Sequence, residues 1–374
     1  MASRRVVHRL ANASLCVAAL LAWPSSRVYA QADSGATVER LADGVYAIIH
    51  RDAFQLWPKG ITLAPHSNTG VIVGDDGVLV VDATYLPSRA RADIALIRQI
   101  TSKPVRYLVN THWHSDHTNG NGAYVEAFPR IAILSARANR QFTDINQEGR
   151  RSAARSTASF SLNVIGQLEV MLQGGRDSAG RQLSTLERGS LAANIAERRN
   201  VLLELGALVN APPSVVFDDA MTVYLGRKRV DLVNRGRGNT PADVTVYLPD
   251  DRVLFAGDLV VMPVPYAFGT NPVPWIGALR AIESTSIEFL VPGHGPVQRD
   301  LAYVRQVREL FEAATARVEA LVRRNEYDAK KVSLDDFRSR FVKPGDATAA
   351  AYWEELVRGK LLEDVAACVQ GSRC

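Results

Sequence analysis

Short apolar runs alternate with polar positions over residues 36–135, and this period of two predicts strands. Val45 to His50 is a β-branched and aromatic run that follows the turn pair Asp43-Gly44. Gly70 to Val73 and Val78 to Val81 flank Gly74-Asp75-Asp76-Gly77, a strong hairpin signal. Ile94, Ile97 and Ile100 recur at helical spacing and predict a helix from Arg89 to Ile100. Val105 to Val109 reads as a buried strand, and Ile131 to Leu134 as another. From 137 to 210 the alternation stops. Arg, Ala, Ser, Leu, Glu and Gln dominate there, which predicts mostly helix, broken around Gly174-Gly175 and Gly180. Alternation returns over 215–300, with strands at Thr222 to Leu225, Arg229 to Val233, Val244 to Leu248 and Val253 to Phe255. Leu301, Val304, Val307, Leu310 and Phe311 then predict a helix from Asp300 to Arg324, and the tail reads as helical with a break at Pro344-Gly345. The expected organisation is an α+β domain over 36–300, a helical insertion over about 137–210, and a C-terminal helical extension over 301–374. The insertion is either a cap over a site or a lateral helical pair.

The first thirty residues stand outside this pattern. Arg4, Arg5 and Arg9 precede an apolar run from Leu15 to Trp23, then Pro24, Ser25, Ser26 and the small-residue end Val28-Tyr29-Ala30. That order predicts a secretory signal over 1–30 and a mature chain that begins near Gln31, periplasmic or secreted. The run is too short to serve as a stable membrane anchor. The chain is 47% hydrophobic and 22% charged over 374 residues, an ordinary globular composition. The signal holds four arginines and no acids, so its loss lowers the net charge from +5 to +1. A nearly neutral chain gives no reason to expect nucleic acid or a membrane surface as partner. Loss of the signal also removes Cys16, which leaves Cys368 and Cys374 either to pair or to remain thiols.

The candidate chemistry is concentrated. Three of the seven histidines fall in the window His112-Trp113-His114-Ser115-Asp116-His117. It follows the strand 105–109, at the C-terminal edge where open sheets build their sites. His112 and His114 alternate, so in extended chain they point the same way. Asp116 and His117 then face a neighbouring point. Imidazole and carboxylate together suit zinc, manganese or iron. Asp258, at a strand end in Phe255-Ala256-Gly257-Asp258, has the setting such a cluster needs. So does His294, in a tight turn after the strand Phe289 to Val291. Ser115 reads as a turn residue, and Trp113 as packing against the sheet edge.

These motifs resemble the metallo-β-lactamase superfamily, whose pattern is H-x-H-x-D-H, then a histidine, then an aspartate or cysteine, then a histidine. The resemblance spans roughly 37–300 less the insertion, and includes Thr69 to Ala83, where a hairpin ends in Asp82. It implies an αββα sandwich with two metals at one edge of two packed sheets. It further implies that His112 and His114 belong to the first metal site, and that Asp116, His117 and His294 belong to the second. Asp258 matches the bridging carboxylate of the glyoxalase II-like branch. The family's middle histidine usually stands in G-x-G-H-T-P-G-D. Here the segment is Gly236-Arg237-Gly238-Asn239-Thr240-Pro241-Ala242-Asp243, so Asn239 takes that place. An amide oxygen is a neutral, hard and weaker ligand than imidazole, so the first site is expected to be the weaker. The cofactor implied is zinc, as one or two ions, with manganese or iron also suited to the donors. His50 and His66 match no ligand position. The function implied is hydrolysis of a small-molecule ester, thioester, lactone or β-lactam by metal-activated water, with Asp116 as the catalytic residue. The alternative is a non-catalytic metal-binding accessory or sensor protein, made so by Asn239. Tyr266 and Phe268, in the proline-rich segment 263–268, either wall the pocket or belong to an ordinary rigid loop.

Overall fold

The computed structural model describes residues 29–30, 35–50, 53–54, 64–145, 162–372 and 374. The expected export signal, Tyr29–Ala30 apart, lies outside the described residues, as does 146–161 of the insertion.

Two sheets carry the architecture. The first orders its strands as Tyr29–Ala30, Ala36–Ala42, Val45–His50, Thr69–Val73, Val78–Val81, Val105–Val109, Ala132–Ala136 and Val215–Phe217. The second orders Ala220–Leu225, Lys228–Asn234, Val244–Leu248, Val253–Val261 and Phe289–His294. Val45, Ile72, Leu79 and Val109 of the first sheet pack against Leu232, Val246, Val253 and Phe255 of the second. Successive residues of a strand face opposite ways. Leu254 accordingly leaves that layer and joins Trp275, Leu279, Val304 and Phe311 on the outer side of the second sheet. Those outer residues come from the helices Pro272–Glu283 and Ala302–Val322. Over the first sheet, Ile94 and Ile97 of the helix Pro87–Ile100 cover Val71, Val80 and Leu108. The layers are helix, sheet, sheet, helix, which is the α+β sandwich the motifs imply.

Several boundaries differ from the expected ones. The strand from Val253 runs on to Val261 with register shifts around Gly257, so Asp258 lies inside an irregular strand and not at its end. His294 is the last residue of its strand rather than part of a turn beyond it. The helix Pro272–Glu283 stands where the sequence pattern predicts no element, because Pro272 and Pro274 open it and read as loop. Proline is tolerated in a first turn, where its missing N–H has no partner to lose.

The insertion is helical at Arg137–Ile145, over 162–174 and at Thr185–Gly206. Ser184 and Glu187 form a capping box at the start of the last helix. That helix touches the sandwich near its end. Val201 packs with Tyr85 and Leu86, and Glu204 Oε2 accepts the Ser88 N–H at 2.8 Å, at the N-terminus of the helix Pro87–Ile100.

The tail breaks at Pro344-Gly345 as expected, then runs through Ala347–Tyr352, a π-helical stretch Trp353–Leu361, and Leu362–Val369. Trp353, Leu361 and Val365 share the core of the outer helical layer. Cys368 and Cys374 are joined as a disulfide, with their Cα atoms 5.1 Å apart. Among the described residues no helix is long and apolar enough to cross a membrane.

Candidate metal centre

The window His112 to His117 leaves the strand Val105–Val109 at the edge of the first sheet. Asp82, just past Val78–Val81, organises that edge from a backbone with φ of 62°. Its Oδ1 accepts the Thr111 N–H at 2.8 Å, and its Oδ2 accepts the Thr111 hydroxyl at 2.8 Å. The same Oδ2 accepts Nδ1–H of His117 at 2.7 Å. Thr111 Oγ1, its proton given to Asp82, lies 3.0 Å from His112 Nδ1 and accepts from it. Both rings are therefore turned so that Nε2 carries the lone pair. His114 ends the loop, and Asp116 and His117 sit on the short helix Ser115–Thr118.

The second sheet supplies the rest. Asn68 links the two sheets: its amide donates to Pro292 O at 2.9 Å and Gly295 O at 2.8 Å, and its N–H donates to Gly293 O at 2.7 Å. Gly293 must lack a side chain, because a Cβ there would sit 1.9 Å from Asp258 Oδ1.

Two sets of donor atoms result. In one, His117 Nε2 is 3.1 Å from Asp258 Oδ1 and 3.5 Å from Asp116 Oδ2. His294 Nε2 is 3.0 Å from Asp116 Oδ2 and 3.5 Å from Asp258 Oδ1. Donors about 2.0–2.1 Å from a tetrahedral zinc stand about 3.3–3.4 Å from one another, so these spacings fit one ion. In the other set, His112 Nε2 is 3.0 Å from His114 Nδ1 and 3.8 Å from Asp258 Oδ2. Asp258 thus turns one oxygen to each set. His117 Nε2, His294 Nε2 and Asp258 Oδ1 are buried without hydrogen-bond partners. Buried polar atoms are rarely left so, and their convergence marks a cation site. The residues present fit the metals that the motifs imply.

Electrostatics agree with this assignment. Burial pushes His112 well below the usual imidazole range, helped by His117 and His114, which keeps it neutral. Burial works against charge on Asp258 too, but His117 and His294 outweigh it and hold the carboxylate ionised. At His117 burial opposes protonation, and Asp258, Asp82 and Asp116 together outweigh it.

A profile of the metallo-beta-lactamase superfamily matches residues 64–316. The chain belongs to that superfamily. A linear primary-alkylsulfatase of Pseudomonas sp. is 24% identical over 253 residues, 66% of this chain and 44% of that protein. The chain thus spans less than half the length of this relative. Among solved structures, a metallo-beta-lactamase from Pontibacter korlensis superposes with a TM-score of 0.51 at 17% identity, over 74% of this chain and 99% of that one. The DIM-1 metallo-beta-lactamase exposed to ceftazidime gives 0.50 at 16%, over 75% and 97%. At these identities the likeness is one of fold.

Against the superfamily pattern, Asn239 is the departure. Its amide nitrogen donates to Tyr266 O at 3.0 Å, and its Oδ1 is buried without a hydrogen-bond partner. Trp113 also differs from expectation. His112 and His114 turn toward the donors, so the residue between them turns away, and its ring stacks on Phe142 of the insertion at 5.5 Å rather than on the sheet edge. His50 lies away from both donor sets and is structural: Nδ1 meets Ser67 O at 2.6 Å and Nε2 meets Asp93 Oδ1 at 2.9 Å. His66 is buried beside His50, 6.1 Å between ring centroids, and burial drives its pKa down to about 3. Tyr266 and Phe268 both reach the centre. The Tyr266 ring is 5.2 Å from that of His294, and Phe268 stacks on His114 at 5.9 Å and 13°.

Asp82 and Asn68 were not singled out as site residues in the sequence, although Asp82 closes the hairpin motif. Asp82→Ala is expected to weaken metal affinity about 10- to 100-fold, because it removes the acceptor that orients His117. Competition with a coloured chelator measures this, and unchanged affinity would remove Asp82 from the centre.

Asp243 closes the loop that carries Asn239 and accepts both the N–H and the hydroxyl of Thr240 at 2.9 Å. Burial raises its pKa to about 8, against those bonds and with the nearby Asp258 adding to the rise. The folded chain then keeps this proton between pH 4 and 8 where the unfolded chain has lost it. Stability from this group therefore falls as pH rises through that window. Asp243→Asn is expected to flatten the decline, read as urea midpoints of metal-free protein across pH. Superimposable profiles would refute it.

Proposed function

We propose that the protein is an exported hydrolase that cleaves an ester-type bond, sulfate ester, carboxylic ester, thioester, lactone or β-lactam, in a small molecule with an apolar part. The observation that carries this reading is Asp258, which turns Oδ1 to the set Asp116, His117 and His294 and Oδ2 to the set His112 and His114. Asn239 Oδ1, buried and without a partner, supports a place for it as the third protein donor of the first set. The donor set suits zinc first, and manganese or iron as harder alternatives. Metals held there would supply hydroxide at neutral pH and polarise the bond under attack.

The chain's own groups do the rest. Asp116 is the most open of the carboxylates, with 28% of its side chain exposed, and with Oδ2 turned to the donor set its other oxygen would accept a hydrogen bond from the attacking water and orient it. Tyr266 and Phe268 offer ring faces to an apolar group and exclude water from that side. The sulfate ester enters through the name of the Pseudomonas relative. Export is supported by the charged start, short apolar run and Val28-Tyr29-Ala30.

The test is a panel of alkyl sulfates, carboxylic esters, thioesters, lactones and β-lactams offered to metal-loaded protein, with Asp116→Asn as the matched control. Turnover of at least one class that falls about a hundredfold or more in the control is expected. No turnover of any class would favour the accessory or sensor reading that Asn239 motivates. N-terminal sequencing of protein from the cell envelope is expected to begin near Gln31.

A further inference from the structure

The segment from Pro263 to Asn271 links the strand Val253–Val261 to the helix Pro272–Glu283 and passes over the metal centre. It lays Tyr266 against His294 of one donor set and Phe268 against His114 of the other. Phe268 remains 47% exposed, so its ring has a face left for a ligand. The segment is tied near its ends, by Met262 N to His294 O at 3.1 Å and Asn271 N to Gly238 O at 2.9 Å. Asn239 holds its middle through Tyr266 O.

The remaining anchors come from the C-terminal extension, beyond the residues that the superfamily profile matches. Asp364, on the helix Leu362–Val369, accepts both the N–H of Thr270 at 2.7 Å and its hydroxyl at 2.9 Å on one oxygen. Both residues are buried. A carboxylate that accepts two bonds away from water is a strong tie, since charge-assisted bonds exceed neutral ones about twofold. Tyr352 places its ring edge-on to Tyr266, with centroids 5.9 Å apart. Val264 and Ala267 lie in one buried layer with Trp353, Leu361 and Val365.

We propose that the C-terminal extension sets the selectivity of the centre: Asp364 and Tyr352 hold the segment 263–271 so that Tyr266 and Phe268 form a rigid apolar wall for an alkyl or aryl group of the substrate. This rests on the hydrolase reading above and assigns its substrate an apolar arm. Asp364 and Tyr352 are positioning residues that act through Tyr266 and Phe268. A loop left free would have to be ordered by each ligand, at a cost in affinity that grows with the number of groups immobilised.

Straight-chain alkanethiols of two to eight carbons test this with cobalt-loaded protein, where thiolate binding is read from the sulfur-to-cobalt absorption band. In the wild type each methylene that reaches the wall is expected to tighten Kd by about fourfold. Asp364→Ala is expected to cut that increment to less than about twofold while cobalt content stays unchanged. Asp364→Asn, whose amide oxygen can still accept from Thr270, should recover part of it. If Asp364→Ala does not fold, Tyr352→Leu is read in the same way. A wild-type Kd that does not change with chain length, or an unchanged increment in the variants, overturns the proposal. Thiol binding needs no turnover. A protein inert to the whole substrate panel would therefore defeat the hydrolase reading and still leave the wall measurable.

Discussion

Replacement of His117 or His294 by alanine is expected to empty the Asp116, His117, Asp258 and His294 site of metal and to lower hydrolysis by about a thousandfold or more. The two imidazoles are the only neutral donors of that set, and each lies within 3.5 Å of both carboxylates. With one imidazole gone, the set falls from four protein donors to three, one of them the Asp258 carboxylate that is shared with the other set, and the ion loses one of its two nitrogen ligands. Several kcal/mol of transition-state stabilisation go with the ion, and each 1.36 kcal/mol is about a factor of ten in rate. Loss at His117 carries a second effect. Its Nδ1–H no longer reaches Asp82, so that carboxylate keeps only its bonds from Thr111. His117→Ala should therefore be the less stable variant of the two. Metal analysis after gel filtration, with turnover on the best substrate of the panel, gives the result. Full metal content with full activity in either variant would withdraw the ligand assignment.

Asn239→His is expected to act in the opposite direction on the other set, and to tighten its zinc by about tenfold or more. In the wild type that set offers His112 Nε2, His114 Nδ1, Asp258 Oδ2 and, on our reading, a neutral amide oxygen. An imidazole nitrogen suits zinc better than an amide oxygen, while harder ions lose less by the exchange. Wild-type zinc binding should therefore proceed in two unequal steps, with the His117 set first, and the variant should bring the steps together. The substitution also removes the bond from Asn239 to Tyr266 O, worth about 1 kcal/mol, and loosens the segment that carries Tyr266 and Phe268. Activity can then fall even as zinc tightens, which is why the zinc titration and not the rate decides. Two equally tight sites in the wild type, unchanged in the variant, would show that Asn239 is not a donor.

The sandwich and most of the centre were legible because their signals are local. His112, His114, Asp116 and His117 share one short window, and the strand before it is continuously apolar. Asp258 and His294 sit in short motifs with glycine beside them, and the glycines report the close approach of backbone that the centre needs. What escaped is non-local or masked by composition. Asp82 is one aspartate after one strand, and nothing in its neighbours reveals that Thr111 and His117 share it. Asp364 and Thr270 are 94 residues apart and leave no periodic trace. The helix Pro272–Glu283 hides behind its own prolines. The direction of Trp113 follows from the geometry of its neighbours, but its partner Phe142 lies on an insertion whose placement no local pattern encodes.

The donors at the centre come from both sheets, the window His112 to His117 from the first, Asp258 and His294 from the second. An unfolded chain can offer an ion only fragments of this set, so binding and sheet docking are thermodynamically linked. Free metal at 100 times its dissociation constant would raise the folding free energy by about 2.7 kcal/mol per site. The melting temperature is then a reading of the surrounding free metal rather than a constant of the chain. A chelator should lower it without touching a single side chain, and should expose the seam between the sheets to protease first.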